Sequence, residues 1–74
     1  GVHVREKPPL ESLPTVTGII KKVSDELANS GRVLVRYSGT EKKCRVMIEG
    51  DDQDRIEVLA NDIAAAIKKE IGDE

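Results

Sequence analysis

Tryptophan and phenylalanine are absent, and Tyr37 is the only aromatic residue. Base stacking is thereby removed as a binding mode, and any hydrophobic core has to be aliphatic. A single cysteine, Cys44, excludes an internal disulfide and fits a reducing compartment. The one histidine, His3, has no cysteine or carboxylate at metal-ligand spacing, so it reads as a strand-edge or surface residue. No apolar run approaches the roughly 18 residues of a membrane span, and no signal peptide is visible, so the expected location is the cytoplasm, with no membrane partner. Positive charge is not in excess either. A net charge of −2 offers no global field for a nucleic-acid backbone, so nucleic acid is not an expected partner and any anion site must be local.

What is present suits one small globular domain over residues 1–74. Charged residues at 35% and hydrophobic residues at 38% are in ordinary globular balance. Val2–Arg5 alternates apolar and polar and reads as a short strand, stopped by Pro8 and Pro9, so residues 1–13 are a strand followed by a linker. From Pro14 to Leu27, Val16, Ile19, Ile20, Val23 and Leu27 recur at helical spacing. Pro14 suits the first turn of that helix, and Asn29-Ser30-Gly31 its end. Arg32–Tyr37 and Cys44–Glu49 read as the two strands of a hairpin. After Gly50, the acidic Asp51, Asp52 and Asp54 open a second helix whose apolar stripe is Ile56, Leu59, Ala60, Ile63, Ile67 and Ile71, ending at Gly72. The order β-α-β-β-α predicts an α+β layer with two helices on one face of a small sheet.

The connection Ser38-Gly39-Thr40-Glu41-Lys42-Lys43 is too polar and too long to serve only as a reversal. Symmetric pairing across it sets Tyr37 opposite Cys44, Arg36 opposite Arg45, Val35 opposite Val46 and Leu34 opposite Met47. Val33, Val35, Tyr37, Cys44, Val46 and Ile48 then share an apolar face for the helices to cover. On the other face two guanidinium groups meet at the mouth of the loop, which is unfavourable unless a carboxylate or an anion compensates. A phosphate would do so: guanidinium forks match its oxygens, the Ser38 and Thr40 hydroxyls and loop N–H groups complete its shell, and Gly39 lets the backbone approach. Spacing alone equally allows two solvated arginines neutralised by Glu41 or Glu49 beside a polar turn.

Other constellations are read structurally. On this register Cys44 faces the core and is an inert thiol rather than a nucleophile. Asp51, Asp52 and Asp54 match no calcium-loop spacing and are helix-opening residues. The pairs Lys21-Lys22 and Lys68-Lys69 belong to solvated helix faces.

Arg36-Tyr37-Ser38-Gly39-Thr40-Glu41 followed by Arg45-Val46-Met47-Ile48-Glu49-Gly50 resembles the C-terminal signature of the α-D-phosphohexomutases. The Arg-Val-Met-x-Glu-Gly continuation, with Lys7-Pro-Pro-Leu-Glu-Ser-Leu-Pro14 upstream, is similar to the bacterial phosphoglucosamine mutase branch. The resemblance covers essentially the whole chain. It implies a fourth domain with a TATA-box-binding-protein-like fold, closing over a cleft built by three earlier domains. Enzymes of this branch are isomerases of amino-sugar and cell-wall precursor synthesis, interconverting glucosamine 6-phosphate and glucosamine 1-phosphate through a bisphosphate intermediate. Their magnesium ion and active-site phosphoserine lie outside this domain. The resemblance therefore implies no cofactor, metal ligand or catalytic residue within these 74 residues, and no turnover by the isolated chain. It assigns Arg36, Ser38, Gly39 and Thr40 to the phosphate that is not being transferred, and Arg45 matches a recurrent arginine of the same motif; Glu41, Lys42 and Lys43 stand beside them as candidate supporting residues. One departure is Lys42, where the family usually has proline; the exchange predicts a loop that is more mobile when empty but more attractive to phosphate. The competing readings are a phosphomannomutase or phosphoglucomutase domain, and a free-standing module binding anions or nucleic acid.

Overall fold

A computed structural model describes residues 1–73. Strand β1 is Val2–His3, helix α1 Pro14–Leu27, strand β2 Arg32–Tyr37, strand β3 Lys43–Glu49 and helix α2 Gln53–Ile71, with short 3-10 turns at Leu10–Ser12 and Ala28–Ser30. The strands form one antiparallel sheet in the order β1-β3-β2. The fold is therefore α+β, in the expected element order.

The hairpin register pairs Leu34 with Met47, Val35 with Val46, Arg36 with Arg45 and Tyr37 with Cys44. Because side chains alternate along a strand, this register sends Val33, Val35, Tyr37, Cys44, Val46 and Ile48 to one face. All six belong to or pack against the core. The helices supply the rest of that core: Val16, Val23 and Leu27 from α1, and Leu59, Ile63, Ile67 and Ile71 from α2. Burying one such aliphatic side chain contributes roughly 1.5–3 kcal/mol, and these residues provide the main cohesion of a domain with so little aromatic surface. An ion pair from Arg55 to Glu26, at 2.8 Å, adds a link between the helices at their exposed edge.

Three details differ from the sequence reading. Lys43 belongs to β3 and pairs with His3, so the loop is Ser38–Lys42, one residue shorter than expected. Helix α1 does not stop on Gly31. Ala28 takes a positive φ of 48° at its C-terminus, and Gly31 lies in extended backbone. Gly31 is required for another reason: a β-carbon there would collide with the Glu49 carbonyl oxygen, where the start of β2 passes the end of β3. Finally, residues 1–13 are no loose tether. Val4 is fully buried and bridges to Gly72, while the Arg5 guanidinium donates to the carbonyls of Glu70 and Gly72 at the end of α2. Those carbonyls have no partner within a helix, and a cation suits the negative end of its dipole.

The opening of α2 follows the capping reading: the Asp52 carboxylate accepts from the Arg55 N–H at 3.2 Å. Cys44 is 0% exposed. Burial pushes its thiol above the ordinary pKa of 9.0, the N-terminal ammonium opposing in part. Burial also raises the Tyr37 phenol, helped by the charges at Cys44, Glu6 and Glu11.

Two outcomes follow from these contacts. Gly31→Ala should lower the stability to denaturant by about 2–3 kcal/mol, the scale of a forced overlap between well-fixed backbones. For Cys44 and Tyr37 the folded pKa lies above the unfolded one, so above pH 9.0 the unfolded chain releases protons that the folded chain keeps. Stability should be level around pH 7–8 and fall as pH rises past 9.0, and Cys44→Ala should flatten the first part of that fall in denaturant titrations at stepped pH.

Candidate anion site

Arg36 and Arg45 are direct partners across β2 and β3 and lie exposed on the sheet face turned away from the helices. Neither forms an ion pair among the described residues. The two carboxylates nearest in sequence are engaged elsewhere: Glu49 with Arg32, and Glu41 with Lys43 at 3.7 Å. Residues 36–45 thus carry four cations, Arg36, Lys42, Lys43 and Arg45, against the single carboxylate of Glu41: a net +3 in a chain of net −2. A like-charged cross-strand pair is destabilising by itself, and among the described residues no carboxylate pairs with either arginine.

The loop beside this pair is held at its base from several directions. Ser38 N–H donates to the Lys43 carbonyl at 2.8 Å, closing the hairpin, and Val4 N–H donates to the Lys42 carbonyl at 2.9 Å. The Tyr37 hydroxyl donates to the Pro8 carbonyl, and the Lys7 ammonium donates to the Ser38 carbonyl at 2.8 Å. The polar loop therefore springs from a base fastened to the segment that precedes α1.

Inside the loop, Ser38 is the only buried polar residue in the described chain, at 8% exposure. Its hydroxyl oxygen accepts from the N–H groups of Thr40, at 3.3 Å, and Glu41, at 3.2 Å. This arrangement bends the chain by the same local side-chain-to-backbone chemistry that makes serine a turn residue. Ser38 shapes the loop in this state, with its single O–H still able to donate outward. Thr40 and Gly39 are exposed, and space around Gly39 is open: a β-carbon there would meet nothing within 4 Å. Lys42 is exposed, whereas Lys43 is half-buried.

The structure thus places the residues singled out from the sequence at one end of the hairpin, and adds Lys7 and Pro8, whose contacts to Ser38 and Tyr37 at the base of the loop span 31 and 29 residues. No local pattern announces such a contact. Surface depressions lie along α1, between β1 and α2, and beside Leu34 and Met47. Among the described residues, no three His, Cys, Asp or Glu side chains are grouped to hold a metal ion, and no helix is long and apolar enough to cross a membrane.

Comparison with known proteins gives this geometry its context. A family model described as "Phosphoglucomutase/phosphomannomutase, C-terminal domain" matches residues 2–66. The chain is 49% identical over 74 residues to the phosphoglucosamine mutase of Chlamydia trachomatis serovar D, covering all of this chain and 16% of that protein. It is 52% identical over 69 residues to the phosphoglucosamine mutase of Myxococcus xanthus, covering 93% of this chain and 15% of the relative. With that of Desulfovibrio desulfuricans it shares 43% identity over 71 residues, covering 96% and 16%. The chain thus spans about 16% of the length of the curated relatives it matches. A match over residues 2–66, with relatives 43–52% identical over nearly the whole chain, means that this protein belongs to the family of phosphoglucomutase/phosphomannomutase C-terminal domains.

Proposed function

We propose that the Ser38–Lys42 loop, with Arg36 and Arg45 beside it, grips the phosphate group of a phosphosugar that is not undergoing transfer. The observation that carries this reading is the uncompensated arginine pair, whose two obvious neutralising carboxylates are engaged with Arg32 and Lys43. Arg36 and Arg45 supply charge and forked N–H donors, Thr40 a hydroxyl, Gly39 an accessible backbone, and Ser38 the bend of the loop together with its remaining O–H donor. Lys42 and Lys43 add local positive potential, while Glu41 keeps Lys43 in place.

On this reading the chain acts as the substrate-phosphate-binding domain of a phosphoglucosamine mutase. That isomerase interconverts glucosamine 6-phosphate and glucosamine 1-phosphate through a bisphosphate. The substrate and its isomer are held in two orientations, and a phosphate is the handle common to both. Grip at this remote group converts binding energy into positioning at the reacting end. No residue of the loop is an acid, base or nucleophile in this scheme. The magnesium ion and phosphoserine belong to the other three domains, which are the partners of this one in the cytoplasm. A mutase selective for mannose or glucose phosphates is the alternative within the family, since the loop reads phosphate and not the sugar.

In an NMR titration of this chain, glucosamine 6-phosphate and inorganic phosphate should both shift residues 36–43, and unphosphorylated glucosamine should not. Arg36→Met should weaken that response about tenfold or more, the scale of one charge-assisted hydrogen bond. Arg45→Gln should weaken it as well, while raising the anion-free stability by a few tenths of a kcal/mol through relief of the like-charged pair. Equal phosphate response in wild type and Arg36→Met would overturn the reading. With glucosamine 6-phosphate and magnesium, this chain alone should show no isomerisation in a coupled assay; measurable turnover would contradict the division of labour described above.

A further inference from the structure

The peptide unit joining Ser38 to Gly39 is held from one side only. Its carbonyl accepts from the Lys7 ammonium at 2.8 Å, and its N–H, on Gly39, donates to no group among the described residues. In a trans peptide the carbonyl and the N–H point in opposite directions, so fastening the oxygen to Lys7 fixes the N–H to aim away from the Lys7–Pro8 segment. The fastening is charge-assisted, which strengthens it and polarises the peptide so that its N–H becomes a better donor.

Glycine makes such a fastening necessary. Gly39 has no positive φ in this structure. Rotating the Ser38–Gly39 peptide by half a turn would carry Gly39 toward positive φ, a change that glycine tolerates and other residues resist. The flipped peptide would present a carbonyl oxygen where the N–H now stands, and an oxygen repels an anion. An accessible Gly39 therefore brings a choice of two peptide orientations, of which one suits phosphate. Lys7 is the group that selects between them, and the Tyr37 hydroxyl on the Pro8 carbonyl keeps the neighbouring backbone of the same segment in reach. The partly buried Pro8 and Leu10, the latter packed on the core, hold this segment against the domain.

We propose that Lys7 is a positioning residue of the phosphate grip: by holding the Ser38 carbonyl it keeps the Gly39 N–H turned outward as a donor to the anion. The proposal rests on the reading of the loop as a phosphate site and names a residue outside the loop that governs it. Lys7 acts through the peptide. Its two remaining N–H donors add positive potential, but orientation is its distinguishing contribution.

The experiment follows the Gly39 amide resonance in the 15N-labelled chain, without phosphate and across a titration with inorganic phosphate, in wild type and the variants Lys7→Met, Lys7→Gln and Lys7→Arg. In Lys7→Met the phosphate-free Gly39 signal should move and broaden while core amides stay in place. Its phosphate Kd should rise about three- to tenfold as the flipped form takes most of the population. Lys7→Arg should retain both the signal and the affinity. Lys7→Gln, which can still donate to the carbonyl, should keep the Gly39 signal and lose only the share of affinity due to charge. Adding Gly39→Ala to Lys7→Met should recover part of the affinity, because alanine disfavours the flipped form. An unchanged Gly39 signal in Lys7→Met overturns the proposal, whether or not affinity falls; a fall without a Gly39 change would be electrostatic alone. If phosphate leaves residues 36–43 of the wild type unmoved, the phosphate-site reading itself fails. If phosphate binds and only the Lys7 variants behave as wild type, the failure is confined to the role of Lys7.

Discussion

Strand β3 is bonded on both sides, to β1 through Lys43 and Cys44 and to β2 along six residue pairs, and its register governs the rest of the molecule. A shift of one residue would send Cys44, Val46 and Ile48 to solvent and Arg45 into the aliphatic core. The same alternation that buries three apolar residues of β3 therefore forces Arg45 outward, directly against Arg36. The unfavourable pair is a by-product of the arrangement that builds the core. It is tolerated because both guanidinium groups are solvated.

The aliphatic core and the arginine pair consequently occupy opposite faces of one sheet. The inner face is nearly all aliphatic and is covered by α1 and α2. The outer face carries Arg32 paired with Glu49 at one end and the unpaired Arg36 and Arg45 at the other, with Leu34 and Met47 exposed between them. Glu49 illustrates how the charge is distributed. Its pairing with Arg32, four positions along β2 from Arg36, withholds the carboxylate that would otherwise silence the arginine pair.

Much of this was legible in the sequence because it is encoded by local periodicity. The bounds of α1, the strand Arg32–Tyr37 and the hairpin register emerge from helical spacing, two-residue alternation and the symmetry of a polar loop. The loop residues were legible for another reason: their order resembles a known signature. What escaped depends on contacts between residues distant in sequence. Nothing in Val2-His3-Val4-Arg5 announces that Val4 enters the core or that Arg5 reaches the last carbonyls of α2. The pair of prolines suggested a tether, whereas the backbone they stiffen is a fastening point for Tyr37. Gly31 looked like a helix terminator and is instead a clearance for a passing strand, a distinction that only the neighbouring chain can make. Nor does the sequence announce that the Ser38 hydroxyl oxygen accepts from two backbone N–H groups and so bends the loop.

The first stretch of the chain has a mechanical meaning as well. His3 accepts from Asp73, Arg5 holds the end of α2, Val4 donates to Lys42, and Lys7 and Pro8 reach Ser38 and Tyr37. Five of the residues 3–8 thus splint two regions: the tail of the long helix and the root of the polar loop. A displacement at the end of α2 would therefore reach the loop through a short strip of backbone, Arg5 and Lys7 being only two residues apart.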